Sequence, residues 1–61
     1  MPVITIRQFE GRTVEQKRRL AKEITDSIVE IYEIDADRVS ITYFDVPKHN
    51  VAKGGKLFID Q

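Results

Sequence analysis

Two runs of β-branched residues on either side of a single helical stripe constrain this chain more than any other feature. The first, PVITIRQF at residues 2–9, puts Pro2, Ile4 and Ile6 on one face and Val3, Thr5 and Phe9 on the other. β-Branched side chains on both faces predict a strand covered from two sides. The second, VSITYFDV at residues 39–46, alternates Ile41 and Tyr43 against Thr42 and Phe44 and predicts another strand. Between them Leu20, Ile24, Ile28 and Ile31 recur at spacings of four, four and three, and Ala21 widens the stripe. That is the period of an amphipathic helix. Lys17, Arg18, Arg19, Lys22, Glu23, Asp26 and Glu30 fall largely off the stripe and read as its solvated face.

Local signals set the boundaries. Glu10-Gly11-Arg12 breaks the strand pattern, and Thr13 with Gln16 three positions later reads as a capping box. The helix is expected over Val14–Tyr32. Glu33–Arg38 reads as a polar turn with Asp35 and Asp37 as local caps, and Pro47 stops the second strand. Gly54-Gly55 between short apolar pieces predicts a turn or small hairpin. Strand, helix and strand make a right-handed βαβ unit with parallel strands. No linker or repeat divides residues 1–61, so the chain reads as one α/β domain.

One helix covers one face of a two-stranded sheet and leaves the other face and an edge open. Sixty-one residues are close to the lower limit for folding alone, and the usual reinforcements are absent. There is no cysteine for a disulfide or thiolate metal site, and a single histidine is too little for a His-rich one. Self-association is therefore the expected source of stability. Ten basic and ten acidic residues cancel, which argues against a nucleic-acid partner. No apolar run approaches the roughly 20 residues of a membrane span. Arg7, Glu10 and Arg12 arrive too early for a signal peptide, so a cytoplasmic location is expected.

Few side chains are equipped for catalysis. Ser27 and Ser40 have no evident base, since His49 sits in a polar loop and reads as solvated. Gly54-Gly55 is not followed by the Lys-Ser or Lys-Thr of a phosphate loop, and Gly11 opens no dinucleotide fingerprint. The N-terminus remains. Proline at a strand start is structurally legal, because it cannot donate to the ladder there. It also has a chemical meaning. Removal of Met1 turns Pro2 into a free secondary amine, basic, nucleophilic and fixed by its ring. To act as a base near pH 7 it must be neutral, and burial or a nearby cation lowers an amine's pKa. A shift of about two units needs roughly 2.7 kcal/mol of differential interaction.

Arg12 is the obvious cation. Eight strand residues at about 3.3 Å each put it roughly 26 Å from Pro2 of the same chain. Antiparallel pairing of two subunits would bring each Arg12 to the other's Pro2, with the site between them.

Taken together, Met1-Pro2, the VITI strand, Glu10-Gly11-Arg12-Thr13, the EQKRRLAKEIT helix, the VSITYFDV strand and Gly54-Gly55 before Lys56-Leu57 resemble the 4-oxalocrotonate tautomerase family over nearly the whole chain. The resemblance implies a βαβ subunit with a short C-terminal hairpin, assembled through multi-subunit sheets into a homohexamer built as a trimer of dimers. It implies a cofactor-independent, metal-free isomerase acting on a small carboxylate substrate of the kind met in aromatic-compound degradation. Pro2 then maps to the general base and Arg12 to the arginine that binds a substrate carboxylate. Members also carry a second arginine and a wall phenylalanine, and the matching positions here are Ser40 and Val51. Arg38, on the same strand parity as Ser40, is the candidate replacement, and Asn50 is a further polar candidate. Two alternatives stand beside this reading. One is a hydratase or dehalogenase in which a carboxylate, here Asp45, positions water. The other is a non-catalytic oligomeric module.

Overall fold

Thr13 starts the helix as its sequence demands. In the computed structural model, which describes residues 1–61, its hydroxyl accepts from the Gln16 backbone N–H at 3.1 Å, and the Gln16 side chain accepts from the Thr13 N–H at 3.0 Å. Helix α1 then spans Val14–Tyr32. It is preceded by strand β1, Val3–Phe9, and followed by strand β2, Ser40–Val46. Gly11 makes the corner between β1 and α1 at φ 126°, a conformation that L side chains rarely adopt. β1 and β2 pair in parallel, with Val3 opposite Ser40 and Phe9 opposite Val46.

Pro47 ends β2. A 3-10 turn at Lys48–Asn50 leads into a hairpin of β3, Ala52–Lys53, and β4, Lys56–Leu57, and a last 3-10 turn covers Phe58–Asp60. Gly54 and Gly55, at φ 63° and 80°, supply the two left-handed residues of a tight hairpin turn. The Phe58 N–H donates to the Val51 carbonyl at 2.9 Å, and its ring meets Phe9 edge-on with centroids 5.2 Å apart. The tail is thereby pinned beside the end of β1.

Three details differ from the sequence expectation. Each strand begins one residue later than expected. Val39 is held back because its N–H closes the 3-10 turn Ala36–Arg38 onto the Ala36 carbonyl. Asp35 occupies the N-cap position of that turn, but its side chain makes no capping bond, and Asp37 lies inside the turn. The covered helix stripe runs through Lys17, Ala21, Ile24 and Ile28, flanked by Thr25 and Val29, while Leu20 and Ile31 lie on an open flank. Two strands about 4.8 Å apart make a sheet too narrow to cover the whole apolar arc of a helix 10–12 Å across.

A polar cluster fastens helix to sheet. Tyr43 donates its hydroxyl to the Lys17 carbonyl at 2.9 Å, and the Lys17 ammonium lies 5.6 Å from the centre of the Tyr43 ring. The same ammonium pairs with Asp45, which also accepts from the Gln8 amide at 3.1 Å. These contacts hold the Asp45 carboxyl below its ordinary pKa, chiefly the Lys17 hydrogen bond and then that of Gln8.

No residue is fully buried. The chain exposes 5105 Å², against roughly 4,100 Å² for a compact monomer of its mass. Its radius of gyration is 15.1 Å, against about 10.5 Å for a compact domain of this length. Val3, Phe9 and Phe44 stand on the uncovered sheet face, 69%, 37% and 52% exposed. A lone chain therefore has no closed core.

Candidate active site

Pro2 is fixed by the sheet through the one ladder group it can offer. Its carbonyl accepts from the Ser40 N–H at 3.0 Å. Met1 before it is 86% exposed and contributes little packing, so the placement of Pro2 rests on β2. Pro2 is half-buried in the wall of a cavity of about 500 Å³. Val3 and Ile4 of β1, Ile28 and Tyr32 of α1, and Ile34 and Arg38 of the connection complete that wall with Met1.

Arg38 is the cationic side chain of this cavity, placed there by the 3-10 turn Ala36–Arg38. The chain's four ion pairs are Lys17–Asp45, Glu15–Arg18, Arg19–Glu23 and Lys22–Asp26. Arg7, Arg12 and Arg38 are left without a carboxylate partner. The Ser40 side chain is exposed on the open sheet face, beside Val3, and its backbone is the part that meets Pro2.

The other expected site residues lie elsewhere in the chain. Arg12 lines a cavity of about 130 Å³ with Gln8, Gln16, Lys17, Leu20 and Tyr43, at the far end of β1. The seven residues of β1 span roughly 23 Å. Val51 lines a third hollow of about 280 Å³ with Arg7, Gln8, Phe9 and Val46, and Asn50 precedes it at the end of a 3-10 turn. One chain thus brings together Pro2, Ser40 and Arg38, and keeps Arg12, Asn50 and Val51 at the opposite end. Asp45 sits in the helix-facing cluster with Lys17 and Gln8, away from the Pro2 cavity. Tyr32 and Ile34 were not singled out from the sequence. Tyr32 follows Ile28 at i+4, the spacing that would have pointed to it.

The parallel βαβ unit with a C-terminal antiparallel hairpin is the fold this chain shares with solved small tautomerases. The family profile Tautomerase, described as tautomerase enzyme, matches residues 2–61. A probable tautomerase of Bradyrhizobium diazoefficiens is 41% identical over 61 residues, covering 100% of this chain and 91% of that protein. A 2-hydroxymuconate tautomerase of Bacillus subtilis is 32% identical over 60 residues, covering 98% and 97%. Among solved structures, a 4-oxalocrotonate tautomerase homologue superposes with TM-score 0.89 at 30% identity, over 100% of this chain and 97% of the other. A heterohexameric 4-oxalocrotonate tautomerase from Chloroflexus aurantiacus gives TM-score 0.81 at 25% identity, over 98% and 97%. The chain belongs to the 4-oxalocrotonate tautomerase family, and its activity class is that of a tautomerase, an isomerase. No helix is long and apolar enough to cross a membrane.

Proposed function

We propose that this chain, after loss of Met1, interconverts a small 2-hydroxy-dienoate or enol acid and its keto form, with Pro2 as general base. The observation that carries the reading is the anchoring of Pro2. β2 grips its carbonyl, while the nitrogen, useless to a sheet ladder, is the atom freed by processing. The neutral amine takes the proton of the substrate hydroxyl. As that O–H bond breaks, the double bonds shift and Pro2 returns the proton to carbon. The apolar wall of Ile4, Ile28 and Ile34 disfavours the ammonium form and so favours a free base.

Arg12 is assigned to a substrate carboxylate from a neighbouring subunit. It is unpaired within its own chain and too distant to serve its own Pro2. The uncovered sheet face and open surface support assembly, and the reading is a homohexamer built as a trimer of dimers. The 2-hydroxymuconate tautomerase relative supports the substrate class, and the heterohexameric relative supports an assembly of six subunits. The hydratase reading requires a carboxylate free to hold water, whereas Asp45 is committed to Lys17 and Gln8.

The test uses two forms of the protein, checked by intact mass. In one Met1 is removed; in the other a residue is retained before Pro2, making its nitrogen an amide. With 2-hydroxymuconate or phenylenolpyruvate, followed by ultraviolet absorbance, the extended form should lose about a hundredfold or more in kcat/KM. Equal rates would refute the base. Mixing the extended form with Arg12→Ala should restore activity to at most about a quarter of that of the processed chain, if sites are shared between subunits. No rate from either form on either acid would favour the non-catalytic module.

A further inference from the structure

We infer that Asp45 sets the charge of the Arg12 cavity: by holding Lys17 against Tyr43 it leaves Arg12 as the uncommitted cation there, and so restricts that end of the site to a singly charged acid group. The inference rests on the assignment of Arg12 to a substrate anion above and deepens it. Arg12 and Lys17 are the two charged side chains in the wall of this cavity of about 130 Å³. Two free cations sharing one wall would repel each other and favour a doubly charged anion. Lys17 is instead held at both ends. Its carbonyl accepts from the Tyr43 hydroxyl at 2.9 Å, its ammonium stands 5.6 Å from the centre of the Tyr43 ring, and Asp45 neutralises that ammonium. Asp45 itself stays outside the lining. Arg12 has no partner among the chain's ion pairs.

This pair is built unlike the others. The Lys17 and Asp45 side chains are 27% and 26% exposed, whereas those of the three pairs along α1 are 63–81% exposed. A pair shielded from water is screened less by salt than an exposed one. The neutral polar groups of the wall are committed as well. The Gln8 amide donates to Asp45 at 3.1 Å and fixes the carboxylate from a second side, and the Gln16 amide oxygen accepts from the Thr13 N–H at 3.0 Å. A lone guanidinium matches a carboxylate in two-point contact. A phosphate or phosphonate dianion needs a second positive partner, and Asp45 removes the one at hand. The chemical class selected at this end is therefore a carboxylate over a phosphorylated analogue.

The experiment reads Arg12 directly, without turnover. Phenylglyoxal modifies arginine guanidinium groups, and peptide mass mapping of the processed, assembled protein gives the rate at Arg12. Protection by methanesulfonate, with a single charge, and by sulfate, with a double charge and similar size, gives the preference of the cavity near neutral pH. Asp45→Asn should shift that preference toward sulfate by about tenfold, the lower end of the effect of one charged hydrogen bond. Asp45→Glu should stay near wild type. Asp45→Asn combined with Lys17→Met should return to the wild-type preference, because the released cation is gone. Lys17→Met alone leaves the Asp45 carboxylate unpaired and should shift the preference away from sulfate; it reads the same device where Asp45→Asn fails to assemble. Asp26→Asn, which frees Lys22 on the helix surface, should leave the preference unchanged. An unchanged preference in Asp45→Asn or in Lys17→Met, with circular dichroism showing the fold intact, overturns the inference and leaves the anion role of Arg12 standing. So does a shift that survives in the double variant, or an equal shift in Asp26→Asn. Failure of both anions to protect Arg12 in the wild-type protein refutes the assignment of Arg12, and the role of Asp45 falls with it.

Discussion

Phe44→Gln is expected to dissociate the assembled protein without unfolding it at high concentration. Phe44 stands on the uncovered sheet face, opposite Arg7 in register, and is 52% exposed in the single chain. About half of a phenylalanine's ~200 Å² therefore remains to be covered by a neighbour. At about 25 cal/mol per Å² that is roughly 2.5 kcal/mol per chain, or about a 70-fold weaker contact. An acidic replacement would be a poor probe, because Arg7 would pair with it across the strands; glutamine removes the apolar area without that compensation. Sedimentation velocity over a dilution series reads the assembly, and the ultraviolet assay on the same samples reads activity. The variant's dissociation midpoint should rise by that factor, with activity and helical circular dichroism falling together. Two results would refute the reasoning: unaltered assembly of Phe44→Gln, or a dilute wild-type chain that stays folded and active as a monomer.

Asp45→Asn tests the fastening of α1 to the sheet. The folded-state pKa of Asp45 is lowered, so its contribution is present above the unfolded value and is lost as pH falls through the folded one. Urea midpoints of wild type and variant should differ most near pH 7 and converge as pH drops below about 4. Glu33, the helix C-cap, adopts φ 54° without being glycine. Glu33→Gly should stabilise the protein by about 0.5–1 kcal/mol, the relief of a left-handed side chain less the entropy glycine loses on folding, measured in urea at fixed protein concentration.

The elements legible in the sequence are those fixed by neighbours in the chain. The Thr13–Gln16 box sets the helix start within one turn, and the left-handed turn Gly54-Gly55 sets the hairpin, so both stand where the residues put them. β2 starts one residue late because the 3-10 turn Ala36–Arg38 claims the Val39 N–H, a competition invisible in an alternating pattern. Ile31 fits the helical period, but how much of the arc is covered depends on sheet width, a tertiary quantity. The cavity lining was harder still. Tyr32 and Ile34 join Pro2 through the path of the connection after α1, and Arg38 reaches the same wall because that connection coils once before β2. Pro2 itself was legible as a strand start, but its grip by Ser40 depends on the parallel register.

β1 is a stiff rod with the proline at one end and the Gly11-Arg12 corner at the other. No rotamer closes roughly 23 Å, so a site that uses both residues has to take them from different chains. The same chain leaves Val3, Phe9 and Phe44 of the sheet and a helix flank uncovered and has no closed core. The surface that needs a neighbour for stability lies on the strand that runs between Pro2 and the Gly11-Arg12 corner. Arg38 stands apart from this requirement, because it lines the Pro2 cavity of its own chain. Assembly on this account governs turnover, because it alone can bring the distant arginine to the proline.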